Sequence, residues 1–596
     1  MRSTRKIAAV LSADYKKAYP VLRSLKKHDY TIIAIFRNWR SYVFSRFIDR
    51  RLRVSGVRSP KDMMTLLKYL REKYNVDIVI PISFEDFLYI SEIEDHPLKT
   101  VKVRGVRYAS DKFKLGELCS KLGVLYPKTL LTKVENLDTC VRVIESEIGY
   151  PAVIKGRGDA ARPTYVSDRD DLEETLRSKI GYEVLVQEYV PGIGCGYFAI
   201  ALEGRPLIEY THVRLIEEKA SGGPSVASKL DFDIELIHVG RRFLSYLKWT
   251  GPVMIEMKRH VETGDIYVIE INPKFWGSLE LSYASGLDLT CELLKICNED
   301  VKCEHDVHIG NIFYWVIASM HYLRDNVHVY LSMIKKVLKR GIIHASDIHL
   351  DDPPELLYGV ITRTLAVLSG RFRRSMWREK YYNVIRRKIS KIVKNLKLII
   401  FDLDGTLVKI PINWSKLRDN MCSKVRRSRT FNIMSLIAKN REVDVEVRKI
   451  EIAASRNVKI DNEVLELINR LRRFDISIAL ATKQCREATY MIIENSRAEN
   501  LFNIIMTRDD YLFKKDQVRN IITKLDVDPN NVVMIGDSIV DYYAACRNYT
   551  RFIAVTESMY RMQMFTELNV PCFRSLKILL KILLDLLERN VHSVNT

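Results

Sequence analysis

Glutamine is scarce in this chain, with four among 596 residues, and its ten cysteines include no CxxC pair. The spacing of Cys291, Cys297 and Cys303 matches no zinc pattern, and no metal site is expected at Cys303, His305 and His308. No secretory leader is apparent, so reduced thiols in a cytoplasmic setting are expected. No uncharged apolar run reaches the roughly 18–20 residues that span a bilayer. The longest candidate, 309–323, is interrupted by Asn311 and His321. The first strand is not followed by GxGxxG, so a dinucleotide site has no support. The depleted amides, beside abundant Lys, Arg and Ile, suit a heat-adapted protein.

What is present is ample for several cores. Hydrophobic residues make up 47% and charged residues 28% of the chain, which excludes disorder throughout. At roughly 150 residues per domain, three to five domains are expected. The net charge is +21 and suggests a polyanionic partner, but it is unevenly placed. Residues 1–370 carry 53 basic and 48 acidic groups, and residues 398–596 carry 31 and 25. Residues 371–397 carry 11 basic groups and one acidic, so nearly half the excess sits in 27 residues. That segment also holds Phe372, Trp377, Tyr381 and Tyr382, which could stack on bases or sit among lipid headgroups. A weak nucleic-acid or anionic-membrane contact through 371–397 is one reading. The other is a connecting helix packed on an acidic flank of one domain.

Along the chain, apolar strands at 6–12, 31–36 and 76–81 alternate with helical patterns, including 59–74 opened by Ser59-Pro60. That alternation predicts a parallel, doubly wound sheet in 1–110. A helix over 111–122 follows, then strands at 152–155, 183–190, 253–258 and 266–271. Residues 308–395 read as largely helical, broken at Asp351-Asp352-Pro353-Pro354. A new strand-and-loop unit begins near 396.

Two of these strands carry a glutamate each, in VMIEMK (253–258) and YVIEINPKFWGS (267–278). A carboxylate inside an apolar strand is costly unless paired, hydrogen-bonded or bound to a cation. Adjacent strands can gather Glu256, Glu270 and the Asn272 amide around one Mg²⁺, whose hard oxygen ligands are commonly shared with substrate phosphates. Lys112 and Lys155 offer cations for those phosphates, and the small-residue loop 156–163 could fold over them.

The ordered set Asp111-Lys112, Pro127-Lys128-Thr129, Val153-Ile154-Lys155-Gly156, Val186 to Gly192, Glu256 and EINPKFWGS resembles the ATP-grasp superfamily over about residues 1–365, in its carbamoyl-phosphate-synthase-like carboxylate–amine ligase branch. The resemblance implies a Rossmann-like pre-ATP-grasp subdomain (1–110), an ATP-grasp domain (111–307) and a helical extension (308–370). It implies that Lys112, Lys155 and Lys274 contact ATP phosphates. Arginine is usual at the last of these positions, and lysine there replaces a bidentate fork by a point charge. Gln187, Glu188, Tyr189 and Val190 would line the adenine pocket, and Glu256, Glu270 and Asn272 would hold Mg²⁺ (Mn²⁺ being an alternative). Arg214 would bind a substrate carboxylate or acyl phosphate, or else simply pair with Glu217. The ribose contact has no assigned residue, because 192–197 reads GIGCGY.

A second constellation begins at LIIFDLDGT (398–406). The i, i+2 spacing aims Asp402 and Asp404 to one face at the carboxyl end of a strand, where an open α/β sheet binds ligand. Asp402 can attack phosphorus; Asp404 can protonate the leaving oxygen and later activate water. ALATK (479–483), Lys514-Lys515 and GDSIVD (536–541) follow in order. Together they resemble the haloacid-dehalogenase phosphatase superfamily over 396–596, a Rossmannoid domain with a helical cap at about 410–465. The resemblance implies that Thr482 holds the transferring phosphoryl group. It also implies that Asp402, Asp404 (through its carbonyl), Asp537 and Asp541 form the Mg²⁺ site. Lys514 would neutralise the phosphoryl group; Lys515 stays an alternative because it stands where proline is common. Arg426, Arg427 and Arg429 in the cap could read an anionic substrate or form a solvated face.

The chain is thus expected to be an α/β multidomain protein with a basic helical linker at 371–395. The implied activity is bifunctional: an ATP- and Mg²⁺-dependent carboxylate–amine ligase joined to a Mg²⁺-dependent phosphomonoester hydrolase. The partners would be a small carboxylate, an amine and a phosphate ester. A small-molecule kinase in place of the ligase is the alternative.

Overall fold

A computed structural model describes residues 5–95, 97–105, 111–155, 163–217, 225–320, 327–338, 341–369, 385, 388–425 and 432–594. The architecture is α/β and multidomain, as the sequence predicts. Four sheets carry it. The first holds β1 (Ile7–Val10), β2 (Thr31–Phe36), β3 (Arg50–Arg53) and β4 (Ile78–Ile80), all parallel, in the order β3-β2-β1-β4. Helix Pro60–Tyr74 covers it; Ser59 caps that helix by accepting from the Asp62 N–H at 3.2 Å, with Pro60 in the first turn.

The second sheet is antiparallel: β5 (Thr129–Lys133), β6 (Ala152–Lys155), β7 (Thr164–Val166) and β8 (Glu183–Glu188), in the order β5-β8-β6-β7. The third has seven strands: β9 (Gly192–Leu202), β10 (Arg205–Glu217), β11 (Ser225–Asp231), β12 (Gly251–His260), β13 (Ile266–Asn272), β14 (Ile312–Tyr314) and β15 (Ile343–Ser346). Their order is β13-β12-β9-β10-β11-β14-β15. The fourth is parallel: β16 (Leu398–Phe401), β17 (Ser477–Ala481), β18 (Ile504–Met506), β19 (Val532–Gly536), β20 (Arg551–Val555) and β21 (Cys572–Phe573), ordered β18-β17-β16-β19-β20-β21.

Two expectations need correction. The stretch 308–370 is not only helical. Ile312–Tyr314 and Ile343–Ser346 extend the seven-stranded sheet, because β14 pairs with β11 and buries all three of its residues. Nor are the thiols all reduced: Cys291 and Cys303 form a disulfide, so Cys303 is no metal ligand. The chain folds back on helix Leu289–Ile296, where His305 lies 2.9 Å from Glu292 and accepts the Asp288 N–H at 3.3 Å. That return places the two cysteines side by side.

The cores cross the expected divisions. Val134, Ile144, Ile154, Leu172 and Val186 around the second sheet share one continuous core with Leu398, Ala479 and Met534 of the fourth and with Tyr542 on the helix that follows β19. The described part of the basic segment joins the carboxyl-terminal core: Ile389, Ile392 and Val393 pack with Ile399 and Leu580. Its charges meet an acidic flank, Lys388 reaching Asp171 at 2.9 Å and Lys391 reaching Asp170 at 2.5 Å. Phe372, Trp377, Tyr381 and Tyr382 lie outside the described residues. Among the described residues, no helix is long and apolar enough to cross a membrane.

Candidate active sites

In the carboxyl-terminal domain the register builds the site. Phe401 on β16 pairs with Leu480 on β17 and Ile535 on β19. Asp402 follows Phe401 directly, and Thr482 and Asp537 lie two residues beyond Leu480 and Ile535, so all three emerge at one carboxyl edge. Asp541 stands one turn into helix Ile539–Arg547, fixed by a reciprocal cap with Ser538. Asp402, Asp537 and Asp541 offer ligand oxygens within 4.8 Å of one another, a set of hard donors that suits Mg²⁺. Gly405, at φ 92°, passes so close that a Cβ there would lie 2.5 Å from Asp537 Oδ2.

Lys514, at the start of helix Lys514–Leu525, is buried between the acids; its ammonium contacts Asp402 and donates to Asp541 at 2.7 Å. Lys515 is not part of that contact. Burial alone would lower the Lys514 ammonium, but the two carboxylates outweigh it and hold it protonated. Burial pushes Asp402 above the carboxylate range, with Asp541 and Asp537 adding to this against the pull of Lys514. Asp404 is also raised by burial. Its carboxylate accepts from the Ile410 N–H at 2.9 Å and Trp414 Nε1 at 2.8 Å. Trp414 opens the helix Trp414–Lys424, so the cap rests directly on the acid/base candidate. Thr482 is buried, and its hydroxyl accepts from the Gln484 N–H at 3.2 Å. Arg426, Arg427 and Arg429 lie outside the described residues.

Two partners of this site escape any motif. Arg561, from helix Met559–Glu567, contacts the Asp537 carboxylate and donates to its carbonyl at 3.2 Å. Glu262 comes from the other half of the chain, at the tip of the β12–β13 hairpin, and is 1% exposed. Its carboxylate accepts the Lys514 backbone N–H at 3.2 Å and lies 3.4 Å from the Lys483 ammonium. Buried Arg259 on β12 ties the hairpin to Asp233 at 2.7 Å, Glu235 at 2.6 Å and the Gly264 carbonyl at 2.9 Å.

The amino-terminal site lies between the second and third sheets. Glu256 and Glu270 are cross-strand partners on β12 and β13, and Asn272 follows Glu270 on the same face. Two carboxylates and an amide are again oxygen donors suited to Mg²⁺. Across from them, Lys155 at the end of β6 donates to Gln187 Oε1 at 2.6 Å. Burial lowers the Lys155 ammonium to about 8; Lys112 adds to this, while Glu270 and Glu256 oppose it. A crowded, half-desolvated pair of lysines is a setting for polyphosphate. Arg214 is half-buried and bridges Glu256 at 2.9 Å and Glu217 at 3.2 Å. The loop 156–162 lies outside the described residues.

The remaining sequence candidates spread outward. Lys274 stands over the Phe84 ring at 5.7 Å, beside buried Lys17, on the side of the first sheet. Val190 offers its carbonyl to Lys258 at 3.3 Å. Glu188 and Tyr189 face the carboxyl-terminal domain: Glu188 lies 3.8 Å from Arg547, and the Tyr189 ring meets Tyr542 edge-on at 6.4 Å.

With this geometry in place, the similarities to known proteins are these. Residues 399–555 match the family model described as haloacid dehalogenase-like hydrolase. The chain is 24% identical over 268 residues to a carbamoyl-phosphate synthase of Methanobrevibacter smithii, spanning 40% of this chain and 67% of that protein. Among solved structures, an ADP complex of N5-carboxyaminoimidazole ribonucleotide synthetase gives a TM-score of 0.42 at 13% identity, covering 56% of this chain and 85% of that one. The biotin carboxylase domain of Hydrogenobacter thermophilus 2-oxoglutarate carboxylase gives 0.42 at 14% identity, covering 52% and 74%. An L-amino acid ligase from Bacillus licheniformis gives 0.41 at 12%, covering 52% and 79%. Over residues 399–555 the carboxyl-terminal domain is thus similar to haloacid dehalogenase-like hydrolases.

Proposed function

We propose that this chain is a bifunctional enzyme: an ATP- and Mg²⁺-dependent carboxylate–amine ligase joined to a Mg²⁺-dependent phosphomonoester hydrolase. The observation that carries it is the pairing, in one chain, of a buried carboxylate–lysine cluster at a parallel sheet edge with a lysine pair facing cross-strand glutamates.

In the ligase half, Lys112 and Lys155 neutralise ATP phosphates and Arg214 orients the carboxylate. A carboxylate oxygen attacks the γ-phosphorus, and ADP leaves. The amine nitrogen then attacks the acyl carbon, the C–O bond to phosphate breaks, and the amine proton passes to solvent. Most of the rate comes from alignment and charge neutralisation. In the hydrolase half, Asp402 attacks the ester phosphorus while Asp404 protonates the departing oxygen. Asp404 then takes a proton from the water that cleaves the aspartyl phosphate. Burial keeps Asp404 raised, which favours the protonated form that the first step needs. Thr482 and Lys514 hold the phosphoryl oxygens. Mg²⁺, when bound by Glu256, Glu270 and Asn272 or by Asp402, Asp537, Asp541 and the Asp404 carbonyl, supplies charge neutralisation at the transferring phosphorus.

The test uses the full chain with Mg²⁺. Phosphate release from a panel of phosphorylated metabolites is expected and should vanish in Asp402→Asn. ADP formation dependent on both a carboxylate and an amine is expected and should vanish in Lys155→Ala. A phosphorylated product formed without amine would replace the ligase by a kinase. No Mg²⁺-dependent release from any ester would remove the hydrolase.

A further inference from the structure

The hydrophobic cores divide the molecule differently from the two candidate sites. Buried residues of the first and third sheets, among them Val10, Ile80, Tyr197, Ile255 and Val268, form one core. Those of the second sheet belong to another, which they share with the hydrolase domain. The amino-terminal site lies across that division: Lys155 is on the second sheet, and Glu256, Glu270 and Asn272 are on the third.

The second sheet is fastened to the hydrolase domain by polar contacts as well. Ser167 Oγ lies 2.7 Å from the Tyr542 hydroxyl. Arg547 donates to the Ile148 carbonyl at 3.0 Å, and the Tyr549 hydroxyl donates to the Glu145 carbonyl at 3.1 Å. Between β8 and β9, the second and third sheets are joined by the short link 189–191. A close-packed core transmits a displacement instead of absorbing it.

The hydrolase domain also touches the third sheet. Met559 and Tyr560 pack against the cluster around Ile216 and Tyr314. A polar contact reaches further in, at the tip of the β12–β13 hairpin. There Glu262 accepts the Lys514 N–H at 3.2 Å and lies 3.4 Å from the Lys483 ammonium. Lys514 in turn contacts Asp402 and donates to Asp541 at 2.7 Å. The tip is bonded to its own strand, since His260 Nδ1 accepts the Glu262 and Thr263 N–H groups at 3.2 Å each. Glu256 stands six residues before Glu262 on this hairpin. At about 3.3 Å per residue, the two sites sit at opposite ends of it, roughly 20 Å apart.

We propose that binding of a nucleoside triphosphate between the second and third sheets is read by the hydrolase through Glu262. This rests on the bifunctional reading and adds a regulator to it. A ligand that touches both walls favours the separation at which its contacts with both are best. Setting that separation shifts the hydrolase domain against the hairpin, because the second sheet carries the domain with it. The tip then changes its hold on the Lys514 N–H, and Lys514 changes its place between Asp402 and Asp541. Glu262 touches no reacting atom and is a positioning residue; the element that both sites bias is the spacing of the two sheets.

The test uses the full chain with Mg²⁺ and p-nitrophenyl phosphate, with and without the non-hydrolysable ATP analogue AMP-PNP, whose binding is followed by calorimetry. Bound AMP-PNP is expected to change kcat/KM for hydrolysis at least threefold, and Lys155→Ala should remove the response. In Glu262→Gln the residual hydrolysis should be the same with and without the analogue, while calorimetry still shows it bound; a variant that had merely lost its structure would not bind it. Hydrolysis unaffected by bound AMP-PNP in the parent protein, or a response that survives in folded Glu262→Gln, would overturn the proposal. A response that survives in Lys155→Ala would overturn it too, since the analogue would then act at the hydrolase site itself. Failure of the parent reading looks different: the unsubstituted chain would bind no AMP-PNP or release no phosphate from p-nitrophenyl phosphate, and the proposal would fall with it.

Discussion

The two candidate sites handle the same chemical group, phosphate, but are assembled in opposite ways. In the hydrolase domain every reacting side chain comes from one sheet edge or the first turn of a helix beside it, and the buried lysine already touches two of the acids. In the amino-terminal region the carboxylates sit on one sheet and the lysines come from another sheet and a separate helix. The first site is a property of one domain's register; the second exists only while two sheets face each other. Self-contained and composite sites should break differently.

The largest effect is expected at the self-contained site. Asp402→Asn removes the nucleophile and should lower phosphomonoester hydrolysis by roughly 10⁴-fold or more, with carboxylate-dependent ADP formation within twofold of the parent. Steady-state assays of both activities on one preparation check this. Equal loss of both would mean that the sites are not separable. At the composite site, Lys155→Ala should lower ADP formation by roughly 10²- to 10³-fold. The rise should fall mainly on the ATP KM if Lys155 binds ground-state phosphates, and on kcat if it serves the transferring group.

Glu262 tests whether the self-contained site is truly so. It is buried, comes from the amino-terminal half, and meets both the Lys514 N–H and the Lys483 ammonium. Glu262→Gln keeps the shape and removes the charge. Hydrolysis should fall roughly 10-fold, about 1.4 kcal/mol, through misplacement of Lys514. The pH profile and metal dependence of the residual activity should change too, which a loss of folded protein alone would not produce. Unaltered hydrolysis would return Glu262 to a docking role only.

Legibility in the sequence follows the same division. FDLDGT, ALATK, Lys514 and GDSIVD are readable because strand ends and helix starts are local, and parallel register then carries them to one edge. Glu256 and Glu270 are readable as costly charges within apolar strands. What packing alone decides is not readable. No spacing foretells that Arg561 grips Asp537, that a hairpin tip reaches another domain, or that Arg214 bridges Glu256. Ile312–Tyr314 is too short for its period to separate strand from helix, and an edge position on a sheet is a tertiary fact. Cys291 and Cys303 meet only because the chain folds back on its own helix.

The smallest expected effect concerns how the amino-terminal half is closed. His349 is buried and stacked on Tyr19 at 3.9 Å, with Glu280 and Glu355 each 2.8 Å from a ring nitrogen. Glu280 lies on helix Leu279–Ala284, just after the EINPKFWGS stretch, and Glu355 opens helix Pro353–Ser369, so the imidazolium joins these two helices. Burial alone would lower its pKa; the two glutamates outweigh burial and raise it from 6.5 to about 10. A raised pKa means the folded state binds the proton more tightly than the unfolded chain does. The stabilisation is therefore complete below pH 6.5 and is lost as pH rises towards 10, at up to about 1.4 kcal/mol per pH unit. In melting curves taken from pH 7 to 10, the transition of the amino-terminal half should move down with pH in the parent. His349→Gln should melt lower at pH 7 and lose most of that slope, since other alkaline titrations are common to both proteins. Parallel slopes would mean that the Glu–His–Glu cluster is not charged in the folded state. The hydrolase transition, whose buried lysine is held by acids of its own domain, should serve as the internal reference.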